Sequence, residues 1–351
     1  MGIDDLFARS GAWMSGTGPE SDIVMTSRIR LARNIEGFPF QPRLSKESRS
    51  ELERRLSGSI RKAKLEGDLE YFNLDETESI DRMLFVERHL ISKEHAEGEG
   101  DRGVAFSPSE MVSIMTLEED HLRIQVMRSG LLLDEAWGKI DEVDNRLEAC
   151  LPYAFSSDYG YLTACPTNVG TGMRVSVMLH LPALVMTKQI EKVFQAVSKI
   201  NMVVRGLYGE GTQASGDFYQ ISNQVTLGTG EEDLLREFES VVPKIIDFER
   251  RTRHRLVEDS RKNFEDRVWR DFGILKTART ISSEETMDRL STVRMGVNVG
   301  VIDSLEIAAV NELFILSQPA HLQKLEGRIL EPDERDVARA TFIRKKLDGL
   351  G

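Results

Sequence analysis

The stretch Thr163–Pro182, TACPTNVGTGMRVSVMLHLP, carries the reading of this chain. A Cys165-Pro166 pair precedes a Gly170-Thr171-Gly172 loop and Arg174. Met173, Val175, Val177, Leu179 and Leu181 then alternate as a half-buried strand does. Three readings compete: a phosphate cradle, a cysteine nucleophile, or a turn before a strand. The loop lacks the strand–loop–helix setting of a dinucleotide fingerprint, so taken alone it is a turn. Its neighbours decide between the three.

On the N-terminal side, residues 21–35 have the β-branched content of a strand ending in a basic cluster, and residues 46–67 read as a charged helix. Strands are expected at 112–117 and 122–127, joined at Glu118-Glu119-Asp120. Leu132, Leu133, Ala136, Trp137, Ile140, Val143 and Leu147 form the stripe of an amphipathic helix. On the C-terminal side, residues 183–200 read as one helix, followed by strands at 201–207 and near 218–225, and by a helix around 231–249. From about Arg255 the pattern is helical, with breaks at Pro319 and Pro332. The expected fold class is α+β, with a mixed domain over 1–255 and a helical domain over 256–351.

The 351 residues are 40% hydrophobic, enough to bury a substantial core, but no apolar run approaches the ~20 residues of a membrane span. The first ten residues lack the basic start and apolar core of a signal peptide, and Leu6 stands where a myristoylation pattern needs Ser or Thr. Cys150 and Cys165 make no disulfide framework, so a reducing, cytoplasmic setting is expected. A net charge of -12 argues against direct nucleic-acid binding and is compatible with basic polypeptide partners. The P-loop signature is absent, and the six histidines show no zinc spacing. Asp271-Phe272-Gly273 matches a protein-kinase metal triplet without the catalytic loop that should precede it, and is a decoy.

Arg28, Arg30, Arg123, Arg174 and Arg205 each accompany an expected strand. One arginine there is an edge or surface residue. Five converging side chains suit a phosphate-rich ligand, because guanidinium forks bind phosphate oxygens in pairs.

In order along the chain, these segments resemble the guanidino (phosphagen) kinase family, the creatine and arginine kinases. TSRIRLARNIEGF (26–38) is similar to its arginine-bearing nucleotide strand, ERHLIS (87–92) to its histidine segment, and LEEDHLRIQVM (117–127) to its acidic pair. ACPTNVGTGMR (164–174) resembles its cysteine signature, and RGLYGEGTQASGDFYQISN (205–223) its second-glutamate loop. The resemblance implies a mainly antiparallel sheet flanked by helices. It also implies ATP as phosphoryl donor, with Mg2+ held mainly through the ATP phosphates. The implied nucleotide residues are Ser27, Arg28, Ile29, Arg30, His89, Arg123, Arg174, Val175, Ser176, Arg205 and Gly206. Glu119 and Glu210 would clamp the acceptor guanidinium, with Glu119 as principal base or the two sharing that role. Cys165 would orient the acceptor as a thiolate, helped by Thr167, without a covalent intermediate. Glu118 and Asp120 are expected to be solvated or loop-capping, and Cys150 to be an inert thiol.

Two features depart from the creatine and arginine kinases: no helical domain precedes the Ser27-Arg28 strand, and a helical domain follows. Leu117 also replaces the usual Asn. These departures resemble the bacterial protein arginine kinases. That branch implies protein substrates with exposed arginines, including misfolded proteins and a CtsR-type heat-shock repressor. It further implies an McsA-type activator, a downstream Clp protease and a homodimer. RDVARA (335–340) resembles its phosphoarginine-recognition motif, which assigns Arg335, Asp336, Arg339 and Ala340; by charge pattern alone the same residues form a solvated helix face. Replacing both arginines by Ala is expected to spare the fold. RRTRHR (250–255) is expected on a solvated helix face or an interface. A free-arginine kinase and a silent phosphoarginine-binding adaptor are the competing functions.

Overall fold

The computed structural model describes residues 10–65, 69–206 and 215–349. Alternating apolar residues build an antiparallel sheet from strands β1 (Val24–Arg33), β2 (Glu70–Asn73), β3 (Gly103–Phe106), β4 (Val112–Thr116), β5 (Leu122–Ser129), β8 (Met173–His180), β9 (Met202–Gly206) and β10 (Phe218–Asn223). Their spatial order is β2-β3-β4-β5-β1-β8-β10-β9. A two-residue ribbon, β6 (Phe155–Ser156) with β7 (Gly160–Tyr161), stands apart from the sheet.

Helices α1 (Lys46–Lys62), α4 (Leu133–Glu148), α6 (Ile190–Ser198) and the first half of α7 (Glu231–Thr277) cover one face. Ile29, Leu31, Ile124, Val126, Val175, Val177 and Ile221 are buried beneath them, one from every second strand position. The Leu133–Leu147 stripe packs as its spacing dictates, and Ser45 caps α1 through a bond from Ser48 N, 3.2 Å.

Four expectations about elements are corrected. Residues 183–200 form two helices, α5 (Pro182–Met186) and α6, because Lys188 adopts a left-handed backbone (φ 57°) between them. The helix at Glu231 does not stop near 249. It continues through the expected division at 255 to Thr277, and its non-helical residue is Ser260. Cys150 follows the end of α4 and is exposed. RRTRHR is not simply solvated: Arg253 is buried, donating to Glu249 Oε1 (2.7 Å) and the His180 carbonyl (3.1 Å), while Arg250 pairs with Glu20 and Asp22. The decoy triplet lies in α7, where Asp271 accepts from Arg289.

After Ser260, the rest of α7 packs with α8 (Ser283–Asn298), α9 (Ile307–Leu316), α10 (Pro319–Glu326) and α11 (Pro332–Asp348). This helical layer shares its core with the sheet, since Met25, Met178 and Phe218 pack among Val268, Leu290 and Phe314. Polar ties reinforce the junction. Buried Arg294 donates to the Ser21 and Asp22 carbonyls (2.7 and 3.0 Å). Glu87, at the end of α2 (Ser79–Glu87), accepts from Ala320 N and His321 N at the start of α10. None of the described helices is long and apolar enough to cross a membrane.

Candidate active site

Strand register fixes the site. Arg28 stands opposite Ser176 and Arg30 opposite Arg174 across β1 and β8; Ala32 faces Arg123 on β5, and Gln220 faces Arg205 across β10 and β9. All five expected arginines, carried by β5, β1, β8 and β9, therefore project from one face of the sheet, the face not covered by the α1, α4 and α6 layer. Together with His89 they line a cleft of about 880 Å³, which Glu118, Glu119, Gly206 and Gln220 also line. Ser176 belongs to the same face, taking a bond from Arg28 Nε at 3.3 Å. Ser27, Ile29 and Val175 alternate to the opposite face, where Ser27 Oγ bonds Gly130 O and the other two side chains are core.

Crowding five guanidinium groups is costly without an anion. Burial first, and then the charges of Arg123 and Arg174, lower Arg28 to about 10. Arg30 is lowered further by burial and by Arg123, Arg28 and Arg174, and its Nε has no partner among the described residues. Burial followed by Arg205 and Arg123 lowers Arg174. The His89 imidazole, lowered to about 3 by burial and by Arg28, is neutral at physiological pH. The arrangement is built to receive several negative charges.

The acidic segment turns sharply into this cleft. Leu117 holds φ at 58°, a left-handed conformation that suits Asn better than Leu, which explains why the Asn-to-Leu departure matters locally. Glu118 is not solvated as expected: it is half-buried and takes two bonds from Arg123 Nη1, both 2.5 Å, and one from Ser92 Oγ. Burial pushes its carboxyl up, but Arg123 and Ser92 outweigh that and hold it at about 2. Asp120 is also buried and caps loops, accepting from Asn34 Nδ2 (2.6 Å) and Ala164 N (2.7 Å). It thereby ties the acidic turn to the cysteine loop.

Glu119 lies near that loop, where Cys165 pulls its carboxyl down. Burial, followed by Asp120 and Glu118, raises the Glu119 carboxyl against the pull of Arg123 and Cys165. Cys165 Sγ lies 3.0 Å from Thr167 Oγ1, the contact expected from sequence. Gly170 (φ 110°) and Gly172 (φ 63°) allow the following loop to press against backbone. A Cβ would come within 2.5 Å of Thr226 O at the first and 2.6 Å of Ala32 O at the second. Glu210 lies outside the described residues.

Sequence reasoning missed Gln220, which accepts from Arg28 Nη2, and Glu118 as a partner of Arg123. Alternation along FYQISN placed Gln220 on the arginine face and could have found the first. The RDVARA helix is more integrated than its charge pattern suggested. Arg335 is half-buried, but Arg339 is buried and donates to Ser317 O, Ile281 O and Asp336 Oδ1.

The sequence profile of the ATP:guanido phosphotransferase C-terminal catalytic domain matches residues 51–252, and that of the protein-arginine kinase McsB C-terminal domain matches 261–351. A protein-arginine kinase from Symbiobacterium thermophilum is 49% identical over 99% of both chains, and one from Bacillus subtilis 44% identical over 96% of this chain and 93% of its own. The chain belongs to the protein arginine kinases. The kinase is also similar in structure to the duplicated taurocyamine kinase of Schistosoma mansoni (TM-score 0.61, 30% identity, 70% of this chain and 35% of that one). A lombricine kinase matches at a TM-score of 0.59 and 26% identity, over 69% and 71% of the two chains. As an ATP:guanidino phosphotransferase that acts on protein arginines, the kinase needs a polyanion site and a guanidinium clamp side by side.

Proposed function

We propose that the arginine-lined cleft binds ATP and that Glu119 and Cys165 mark the acceptor site beside it. The observation that carries this reading is the strand register that converges Arg28, Arg30, Arg123, Arg174 and Arg205 in one cleft with Glu119. Arg30, with a buried Nε lacking a partner, and the mutual repulsion within the cluster fit a triphosphate. Mg2+ would be carried on phosphate oxygens and water, neutralising charge as the phosphoryl group moves.

A client guanidinium enters protonated and delocalised, so it is a weak nucleophile. Glu119, with its carboxyl raised, takes a proton from the attacking nitrogen as the N–P bond forms and the bond from the γ-phosphorus to the ADP oxygen breaks. Glu210 serves as the second clamp, and Arg205 and its neighbours take up the charge that develops on the transferring oxygens. Cys165, beside Glu119, aligns the acceptor. Arg335, Asp336, Arg339 and Ala340 form the phosphoarginine-recognition segment, in which Arg335 makes the contact and Arg339 anchors the helix.

The family assignment extends this reading to a cytoplasmic role in stress response and protein quality control: phosphorylating misfolded clients for a Clp protease, inactivating a CtsR-type repressor, and working with an McsA-type activator. Homodimerisation through the helical segment is supported by Ile329, Leu325 and Val337 of that segment, exposed by 80%, 52% and 50%.

Incubation with Mg-ATP and an arginine-bearing protein or free arginine tests the function. Phosphate is then located by mass spectrometry without acid, since N–P bonds are acid-labile. Phosphate on protein arginines, with little on free arginine, is expected. Label on free arginine alone would overturn the open acceptor site.

A further inference from the structure

Behind the cysteine loop lies a second, shallow groove of about 380 Å³, to which phosphoryl transfer gives no role. Its walls include Phe155, Asp158, Tyr159, Tyr161, Leu227 and Glu231. Phe155, Tyr159 and Leu227 are 61%, 58% and 50% exposed, a concentration of large apolar side chains that marks interaction surfaces. The charged residues among its described lining, Asp158 and Glu231, are both acidic, and Glu232 and Asp233 extend the negative charge along the first turn of α7. Aromatic faces beside carboxylates are the chemistry that holds a guanidinium.

The same ribbon already holds one. The Arg33 guanidinium stacks 3.6 Å from the Tyr161 ring centroid and 5.8 Å from that of Tyr153, while Asp144 accepts from its Nε and Nη2 at 3.0 and 2.7 Å. Phe155 meets the Tyr161 ring edge-on at 5.3 Å. The outer rings, Phe155 and Tyr159, with Asp158 between them in sequence, repeat this combination toward solvent.

The groove is also tied to the acceptor site through the cysteine loop. Gly170 and Thr171 line it and belong to the loop that starts at Cys165. Five residues of chain put Cys165 and Gly170 no more than about 18 Å apart, the reach of a short extended peptide. Thr226 fixes the wall to the cysteine loop by bonding Thr167 O (2.9 Å) and Val169 O (2.7 Å).

We propose that this groove is a client-docking subsite that binds a second arginine of the extended polypeptide whose first arginine lies at Glu119 and Cys165. The inference rests on the acceptor site proposed above. A client chosen for its arginines carries the complementary charge, and two such contacts on one segment raise its effective concentration at the reacting centre. The subsite thus selects arginine-rich, unfolded segments over isolated arginines.

Two peptides test it in the full-length kinase: one with a single arginine, and one with a second arginine about five residues away replacing a glutamine. Tyr159→Ser combined with Asp158→Asn, and separately Phe155→Ser, alter exposed turn residues outside the catalytic cleft. The expected result is a rise of about fivefold in KM for the two-arginine peptide, to the single-arginine value. Its kcat, the KM for ATP and the single-arginine KM should be unchanged. Equal effects on both peptides, or none, would overturn the proposal. So would altered sedimentation with both peptide KM values unchanged, which would assign the groove to a second copy of the chain. Undiminished turnover in Glu119→Gln would instead overturn the acceptor site, and is read independently of the peptide comparison.

Discussion

Glu118 holds Arg123 in place with a largely desolvated ion pair in the cleft wall, and removing one partner leaves the other charge poorly solvated and unpaired. Glu118→Gln is expected to cost about 3 kcal/mol of stability and to raise the KM for ATP. The pH dependence has a definite sign. The folded carboxyl is held at about 2 against an ordinary 4.5, so the contribution of Glu118 is complete above 4.5 and is lost as pH falls toward 2. The stability gap between wild type and Glu118→Gln, measured by urea titration, should close over that interval; a gap independent of pH would contradict the pairing. Glu119 is shifted the other way, so the acid limb of kcat/KM should lie above 4.5, where the base takes up its proton. Arg339 also differs from its expected behaviour. Its three acceptors are left without their donor in Arg339→Ala, which should lower the melting temperature sharply, whereas Arg335→Ala should melt near wild type and lose phosphoarginine binding by calorimetry. The double substitution would confound the two effects.

At the level of elements, two-residue alternation made the sheet strands around the site legible, and with them the common face of Arg28 and Arg30. The convergence of Arg123, Arg174 and Arg205 on that face depends on interstrand register, which one sequence leaves open. The burial of Glu118 was hidden for the same reason: a charged turn reads as solvated until Ser92 and Arg123 are brought to it. Helix ends were misread where a tertiary contact overrides local pattern. α7 runs on past 249 because Glu249 and Arg253 bond α5 and β8 instead of solvent. The glycine loop read as a turn, and the close approach that the fold gives it has a local test. Gly172→Ala places a Cβ against Ala32 O at a left-handed position, and should cost about 1–3 kcal/mol and reduce kcat by displacing Arg174. Wild-type kcat in that variant would show that the loop does not set the arginine.

Across the whole molecule, the helical segment completes the sheet's core and is not a detachable appendage. Met25, Met178 and Phe218 lose their cover if the chain ends at Ser260, and each fully buried side chain is worth about 1.5–3 kcal/mol. A protein truncated there should aggregate or elute as an expanded species on size exclusion. A compact, monomeric fragment would show that the two parts fold independently. The same packing brings Gln318, next to the start of α10, to the lining of the arginine-lined cleft, so the helical segment contributes directly to its wall.

In the proposed reaction Glu119 takes the guanidinium proton beside an arginine cradle for ATP. Its most direct test is single-turnover phosphorylation of an arginine-bearing protein by Glu119→Gln, with ATP binding measured in parallel. The rate should fall ~10²–10⁴-fold with ATP affinity retained. A near-wild-type rate would contradict that role.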